Sequence, residues 1–287
     1  LLLSIRRAYN KISPELVISF QRGMNVMVLL TLLLTKAKII CSEHSYFFRK
    51  YGIVEDSLMH LLYWKANAIT VLTRHDLKVC NNLGKKNVVY MPNPLQSIDL
   101  ADCVRKTQII AVGALDRWKI KGFDLLIKAW GKICYNHPEW KLVIAGKGSR
   151  DSMEYLKYLV ESNSCRNVVF LGFKKDIHAL MQESAIFVLS SRFEGLPMAL
   201  LEAMQAGCCC VSFNCETGPN EIIQNEVNGL LVPAQNIDKL AEALDDVISN
   251  QKLRESLSSK ARGAVLDKYS EDYVMTRWRN LFSKINL

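Results

Sequence analysis

The chain has 287 residues, 49% of them hydrophobic, with nine cysteines and a formal net charge of +9. That length and apolar fraction allow two α/β lobes, each burying its own core, and no internal repeat or low-complexity segment interrupts them. The charge is uneven: residues 1–150 hold 23 Lys and Arg against 10 Asp and Glu, whereas residues 151–287 hold 14 against 18.

The basic half therefore suits an anionic partner, whether ligand phosphates, an acidic membrane surface or nucleic acid. The absence of zinc-ligand spacing, of an RNA-binding aromatic signature and of an arginine-rich arm argues against nucleic acid. The longest apolar run, Val26 to Leu34, is too short to span a bilayer, which needs about 20 residues, and reads as a buried helix. The chain opens Leu1-Leu2-Leu3 without Met, and no signal-peptide architecture precedes Arg6 and Arg7. A start inside a longer, cytoplasmic chain is the expectation. No CxxC pair occurs, and Cys208, Cys209 and Cys210 lie in an apolar run, so the thiols are expected reduced and structural.

Strand-like runs at Leu16 to Phe20, Lys38 to Ser42, Ala68 to Leu72 and Asn87 to Met91 alternate with segments long enough for helices, the rhythm of a parallel sheet. Met91-Pro92-Asn93-Pro94 continues neither element, and with the polar stretch to Thr107 it reads as a linker. A second series follows at Gln108 to Val112, Lys141 to Ala145, Val168 to Leu171, Ile186 to Leu189, Cys209 to Phe213 and Gly229 to Val232. These runs are nearly all apolar, as in a sheet covered on both faces. From Ile237 the pattern is helical, with Trp278 and Phe282 sharing a helix face. The fold class expected is α/β with two Rossmann-like lobes and parallel sheets flanked by helices. The divisions are residues 1–100, 101–270, and a C-terminal helix at 271–287 packing toward the first lobe.

In such folds ligands sit outside the carboxyl ends of the strands. SSRFEGLPMALLEAMQAG follows one of these ends, with Gly195 freeing the loop, Pro197 suited to the first helical position and Gly207 to the end of the helix. The N-terminus of that helix favours negative charge, and Glu194 before it and Glu202 on it are placed to reach separate hydroxyls of one ligand. GALDRWKIKGFDLLIKAW follows another strand. There Gly113 permits a turn and Arg117, Lys119 and Lys121 form a cationic loop suited to a diphosphate, ahead of a helix burying Phe123, Leu126, Ile127 and Trp130. AGKGSR puts Gly146 and Gly148 at a strand end, where backbone can approach a ligand, and LGFKKD puts Gly172 and Phe173 at another, which suits either a contact to a flat base or a simple loop glycine. In the first lobe IICSEHSYF ends on Glu43, His44 and Ser45.

Together these motifs resemble glycosyltransferase family 4, the retaining enzymes of the two-lobed GT-B fold, from about Ile5 onward and most specifically from Gln108 to Val232. The resemblance implies that Glu194 contacts the transferred sugar, with Gly195, Leu196, Pro197 and Met198 completing that donor loop, and that Glu202 contacts the ribose. It further implies that Arg117 and Lys121 hold the diphosphate, that Gly172 and Phe173 meet the base, and that His44 lies near the reacting sugar; Gly113 and Gly146 are counted with the donor-binding residues. Gly218 and Glu221 match the segment that closes the donor site. Two departures stand out. Ala114 occupies a position where the family usually has Arg, and the family's first strand and glycine-rich loop have no match, implying an incomplete first lobe. No DxD-like carboxylate pair stands at a strand end, so no metal and no other cofactor is expected. The partners implied are a nucleotide-sugar, most simply a UDP-sugar, a saccharide or lipid-linked saccharide acceptor, and an anionic membrane surface. Alternatives are a nucleotide-sugar-binding fragment without turnover and a nucleotide-sugar epimerase.

Overall fold

The structure is a computed structural model that describes residues 1–47, 52–84, 87–99 and 104–286. The chain forms two compact units, one of Leu1–Pro94 with Asp272–Leu287 and one of Leu95–Glu271. The division expected between residues 100 and 101 lies outside the described residues.

The first unit runs α1 (Leu2–Ile12), β1 (Leu16–Phe20), α2 (Arg22–Thr31), β2 (Lys38–Ser42), α3 (Ile53–Leu62), β3 (Ala68–Val71), α4 (Arg74–Asn82) and β4 (Val88–Tyr90). Its four strands pair in parallel in chain order. All four residues of β3 are buried, as are Ile39 to Ser42 of β2, because helices cover both faces. Alternation along β2 divides the core. Ile39 and Cys41 join Leu29, Leu32, Phe47 and Tyr63 on one face, and Ile40 joins Ala68, Met91, Val274 and Leu281 on the other. The second face is covered by the C-terminal helix Glu271–Lys284, on which Trp278 and Phe282 stack with ring centroids 5.6 Å apart.

The apolar run from Val26 to Leu34 is not a buried helix throughout. α2 ends at Thr31, and although Val26, Val28, Leu29 and Leu32 are buried, Leu30 is 43% and Leu34 95% exposed. A contiguous apolar run on a helix must turn some residues outward, because only one stripe of a 3.6-residue period faces the core. No helix among the described residues is long and apolar enough to cross a membrane.

The second unit runs β5 (Lys106–Val112), α5 (Trp118–Lys121), α6 (Phe123–Ile133), β6 (Lys141–Ala145), α7 (Arg150–Ser162), β7 (Val168–Gly172), α8 (Ile177–Gln182), β8 (Ser184–Leu189), α9 (Met198–Gln205), β9 (Cys209–Asn214), α10 (Pro219–Ile222), β10 (Leu230–Pro233), α11 (Ile237–Ser249) and α12 (Gln251–Tyr269). The six strands are parallel in the order β10-β9-β8-β5-β6-β7. The chain starts at β5, winds outward through β6 and β7, then returns to β8 and winds the other way. The direction reverses between β5 and β8, which is where such sheets open a crevice at the carboxyl ends of the strands. Trp130, Leu126, Ile144, Ile186 and Phe213 lie in its core.

Cys208, Cys209 and Cys210 are fully buried at β9, and the eight described cysteines are free thiols. Burial pushes the thiols of Cys208 and Cys209 up to about 12, so they remain protonated and inert.

Candidate functional site

The two loops flanking the β5/β8 crevice carry the residues that sequence reading singled out. After β5 the chain makes a single 3₁₀ turn, Leu115–Arg117, and then α5, whose last residue is Lys121. Gly122 follows in the left-handed region (φ 66°) and starts α6. A Cβ on Gly122 would lie 1.8 Å from the Ser190 carbonyl oxygen, so the two loops touch backbone to backbone there. Ser190 Oγ donates to the Lys121 carbonyl at 2.9 Å. This contact delivers Lys121 to the loop after β8, where its Nζ lies 2.7 Å from Glu194 Oε1. The same carboxylate oxygen accepts from Ser191 Oγ at 2.6 Å, and the Glu194 carbonyl accepts from Thr217 Oγ1 at 2.5 Å. Lys121 and Glu194 are 21% and 11% exposed, so the pair is shielded yet reachable.

The sequence treats Glu194 and Lys121 as two separate contacts; the structure joins them in one ion pair. Sequence reading did not single out Ser191, Thr217, Ser190 or Gly122. Gly122 had a signal, a glycine between a cationic turn and an apolar helix, whereas the hydroxyls act through loops distant in sequence.

Glycines floor the crevice. Gly113 N–H donates to the Ala145 carbonyl at 3.0 Å and Gly146 N–H to the Gly172 carbonyl at 2.9 Å, aligning three strand ends side by side. A Cβ on Gly146 would come within 1.8 Å of the Gly113 carbonyl oxygen, so only glycine fits, and the stem of Lys121 lies along Gly113. Beyond Gly172, Phe173 is 73% exposed. The floor therefore presents backbone, with an exposed aromatic ring next to its last glycine.

α9 begins at Met198, with Pro197 as the flanking cap residue, not the first helical residue as expected. Pro197 has ψ 91°, outside the helical range, because the loop is still turning past Gly218, where a Cβ would meet the Gly195 carbonyl oxygen at 2.3 Å. Gly207 follows the helix with φ 79°. Leu196 is buried beneath the loop, and Glu221 lies on α10 beyond Gly218. Arg117 is exposed, its backbone N–H donates to the Ala114 carbonyl at 3.0 Å, and its side chain makes no hydrogen bond or ion pair among the described residues; Ala114 is also exposed.

Glu202 is half-buried on α9. Burial raises its pKa above the usual carboxylate value, and His178 opposes that rise. A folded pKa above the unfolded one means that ionisation of Glu202 weakens the fold as pH rises through the folded pKa, and costs nothing below the unfolded value. Glu202→Gln is therefore expected to raise Tm at neutral pH, with the gain vanishing near about pH 4. Thermal melts across that range check this, and a lower Tm for the variant at neutral pH would contradict it.

In the first unit His44 follows β2 and is half-buried, with its ring edge-on to Phe20 at 5.2 Å. Its Nε2 is 3.1 Å from Ser42 Oγ, which accepts from Thr70 Oγ1 at 2.8 Å. Burial lowers its pKa, favouring neutral imidazole. Glu43 beside it is 1% exposed and takes hydrogen bonds from Asn25 Nδ2, at 3.1 Å, and from the Tyr63 hydroxyl, so it is internal scaffolding. Burial, and next the charge of Glu43, push the Tyr63 hydroxyl well above the usual tyrosine range.

A cation and a carboxylate meeting at the switch point of a doubly wound sheet, above a glycine floor, is a site shaped for a phosphorylated ligand with hydroxyls. Residues 101–264, more than half of the chain, match the family described as Glycosyl transferases group 1. The chain belongs to this glycosyltransferase family. The crevice residues from Gly113 to Glu221 all lie within the matched span. An uncharacterized glycosyltransferase of Haemophilus influenzae is 29% identical over 248 residues, 85% of this chain and 69% of that protein. The GalNAc-alpha-(1->4)-GalNAc-alpha-(1->3)-diNAcBac-PP-undecaprenol alpha-1,4-N-acetyl-D-galactosaminyltransferase of Campylobacter jejuni is 26% identical over 287 residues, 98% of this chain and 78% of that protein. Among solved structures, Anabaena HepE in complex with UDP superposes with TM-score 0.84 at 16% identity, covering 99% of this chain and 82% of that one, a likeness of fold.

Proposed function

We propose that this glycosyltransferase is a retaining, metal-independent enzyme of family 4 that moves a hexose or N-acetylhexosamine from a UDP-sugar to a saccharide or lipid-linked saccharide acceptor. The observation that carries the reading is the Lys121–Glu194 pair, 2.7 Å apart at the β5/β8 switch point. The UDP held by HepE and the undecaprenol-linked glycan in the name of the Campylobacter relative support the donor and acceptor classes.

In this reading the diphosphate displaces Glu194 as the partner of Lys121. The N-terminus of α9 adds its free N–H groups and positive dipole end. As the sugar–phosphate bond breaks, negative charge grows on the leaving diphosphate, and these fixed groups stabilise it without reorganising. Glu194, released from Lys121 but still holding Ser191, accepts hydrogen bonds from sugar hydroxyls, while Glu202 accepts from the ribose and Gly172 and Phe173 meet the base. Arg117, exposed beside the loop, adds charge at longer range. On the first unit His44 is the residue assigned to meet substrate, and no protein nucleophile is assigned. UDP release from a panel of UDP-sugars, with the product's anomeric configuration read by NMR, tests the scheme. Retained configuration and undiminished rate with EDTA are expected, and inverted product or complete loss in chelator would sink it.

Anionic lipid is the proposed membrane partner. α1 carries Arg6, Arg7 and Lys11, with Leu3 and Ile12 73% and 70% exposed beside them. Cosedimentation with phosphatidylglycerol vesicles is expected at low salt and reduced at high salt; no binding at either salt would count against it.

A further inference from the structure

Arg192 lies two residues before Glu194 and uses its guanidinium as a clamp. Nη1 and Nη2 grip Asp124 Oδ1 and Oδ2 at 2.7 and 2.8 Å, Nη1 also donates to the Lys119 carbonyl at 2.5 Å, and Nε reaches Gln235 Oε1 at 3.2 Å. Its backbone N–H donates to the Ile120 carbonyl at 2.8 Å. Arg192 and Asp124 are 16% and 14% exposed, which makes this a largely buried, fork-on-fork pair. These bonds join the loop that carries Glu194 to the turn that carries Lys121, independently of the Lys121–Glu194 contact itself. Asp124 stands in the first turn of α6, three residues after Lys121, and Gln235 in the turn after β10.

We infer that Arg192 and Asp124 are positioning residues for the glycosyl-transfer site: their bidentate pair sets the separation of Lys121 from Glu194, and through it the grip on the donor diphosphate. The diphosphate part of this inference rests on the donor reading above; the positioning part does not. Both side chains are engaged with each other, and in the donor reading neither is assigned to the ligand. Arg192→Lys keeps the charge but loses the fork, and Asp124→Asn keeps the shape but loses the charge.

Two readouts test the pair in the full chain. The first is the rate at which Lys121 reacts with an amine-acylating reagent, followed by mass spectrometry. With its partner held at 2.7 Å, Lys121 is protected in the wild type, and both variants are expected to speed its labelling by at least about fivefold relative to Lys128, which is on the far side of Gly122. The second is UDP affinity by calorimetry. Arg192→Lys is expected to weaken it by about tenfold, and in a Lys121→Ala background to change it by less than about twofold, because both substitutions remove the same grip. A merely structural role lowers Tm without this coupling. Wild-type labelling rates in the folded variants overturn the inference, as do additive effects of Arg192→Lys and Lys121→Ala on UDP affinity. Should Arg192→Lys fail to fold, Asp124→Asn decides both readouts. Should the folded wild type bind no UDP, the donor reading fails, and the labelling rates alone decide whether the pair positions Lys121.

Discussion

Gly122→Ala is expected to be among the most damaging single-methyl substitutions in the chain. Gly122 has φ 66° and ψ 25°, and an added Cβ would sit 1.8 Å from the oxygen and 2.7 Å from the carbon of the Ser190 carbonyl. The left-handed conformation alone costs an L-residue about 1–2 kcal/mol. The clash is with backbone, so it is relieved only by moving the β8 loop away. That movement breaks the bond from Ser190 Oγ to the Lys121 carbonyl and the bond from Arg192 N–H to the Ile120 carbonyl. A loss of about 3 kcal/mol follows, which for a unit of this size lowers Tm by on the order of 10 °C. Lys121 and Glu194 separate with it, so UDP binding is expected to fall even below the melting range. Gly263→Ala is the control: it lies within α12, and a Cβ there meets nothing within 4 Å. It is expected to stabilise by about 0.5–1 kcal/mol. Thermal melts of the two variants compare them directly, and equal Tm values would refute the close-contact argument.

Lys121→Ala is expected to weaken nucleotide affinity and Glu194→Gln is not. In the proposed donor reading Lys121 supplies a charge-assisted contact to the diphosphate, and such contacts contribute about 1.5–3 kcal/mol, so UDP affinity is expected to fall between about tenfold and 150-fold in Lys121→Ala. In the free protein the Lys121 ammonium is held by Glu194 at 2.7 Å. A diphosphate must compete with that carboxylate, and Glu194→Gln removes the competing charge. UDP affinity in Glu194→Gln is therefore expected to be unchanged or tighter. Transfer of the sugar is expected to drop by about 10²-fold or more, because in the proposed reading Glu194 is the group that orients the reacting sugar. Weaker UDP binding in both variants would mean that the ion pair acts only as structural support.

Strand positions were legible because a parallel strand covered on both faces is apolar throughout. β1, β2 and β6 begin and end where the apolar runs do, while β5 starts at Lys106 and β8 at Ser184, earlier than those runs. The additional residues include Lys106, which pairs at 2.5 Å with Glu183 just ahead of β8, where polar side chains still reach solvent. Helix limits were less legible. Apolarity carried the reading of α2 past Thr31, and Pro197 precedes α9 because Gly195 and Gly218 crowd its loop.

In the site, Gly113, Gly146 and Glu194 follow the ends of β5, β6 and β8 as the strand-end rule expects, whereas Gly172 is itself the last residue of β7 and Lys121 ends α5, past a 3₁₀ turn. Their partnership was not legible. Lys121 and Glu194 are 73 residues apart, and Arg192 and Asp124 are 68 apart. Nothing in local periodicity links such positions; only the order β8-β5 brings their loops together.

The most direct test of the donor reading is calorimetric titration of the folded chain with UDP, GDP and ADP. The account predicts that UDP binds with micromolar affinity and ahead of the other two, and that Lys121→Ala weakens that binding. A folded chain that binds none of the three would contradict it.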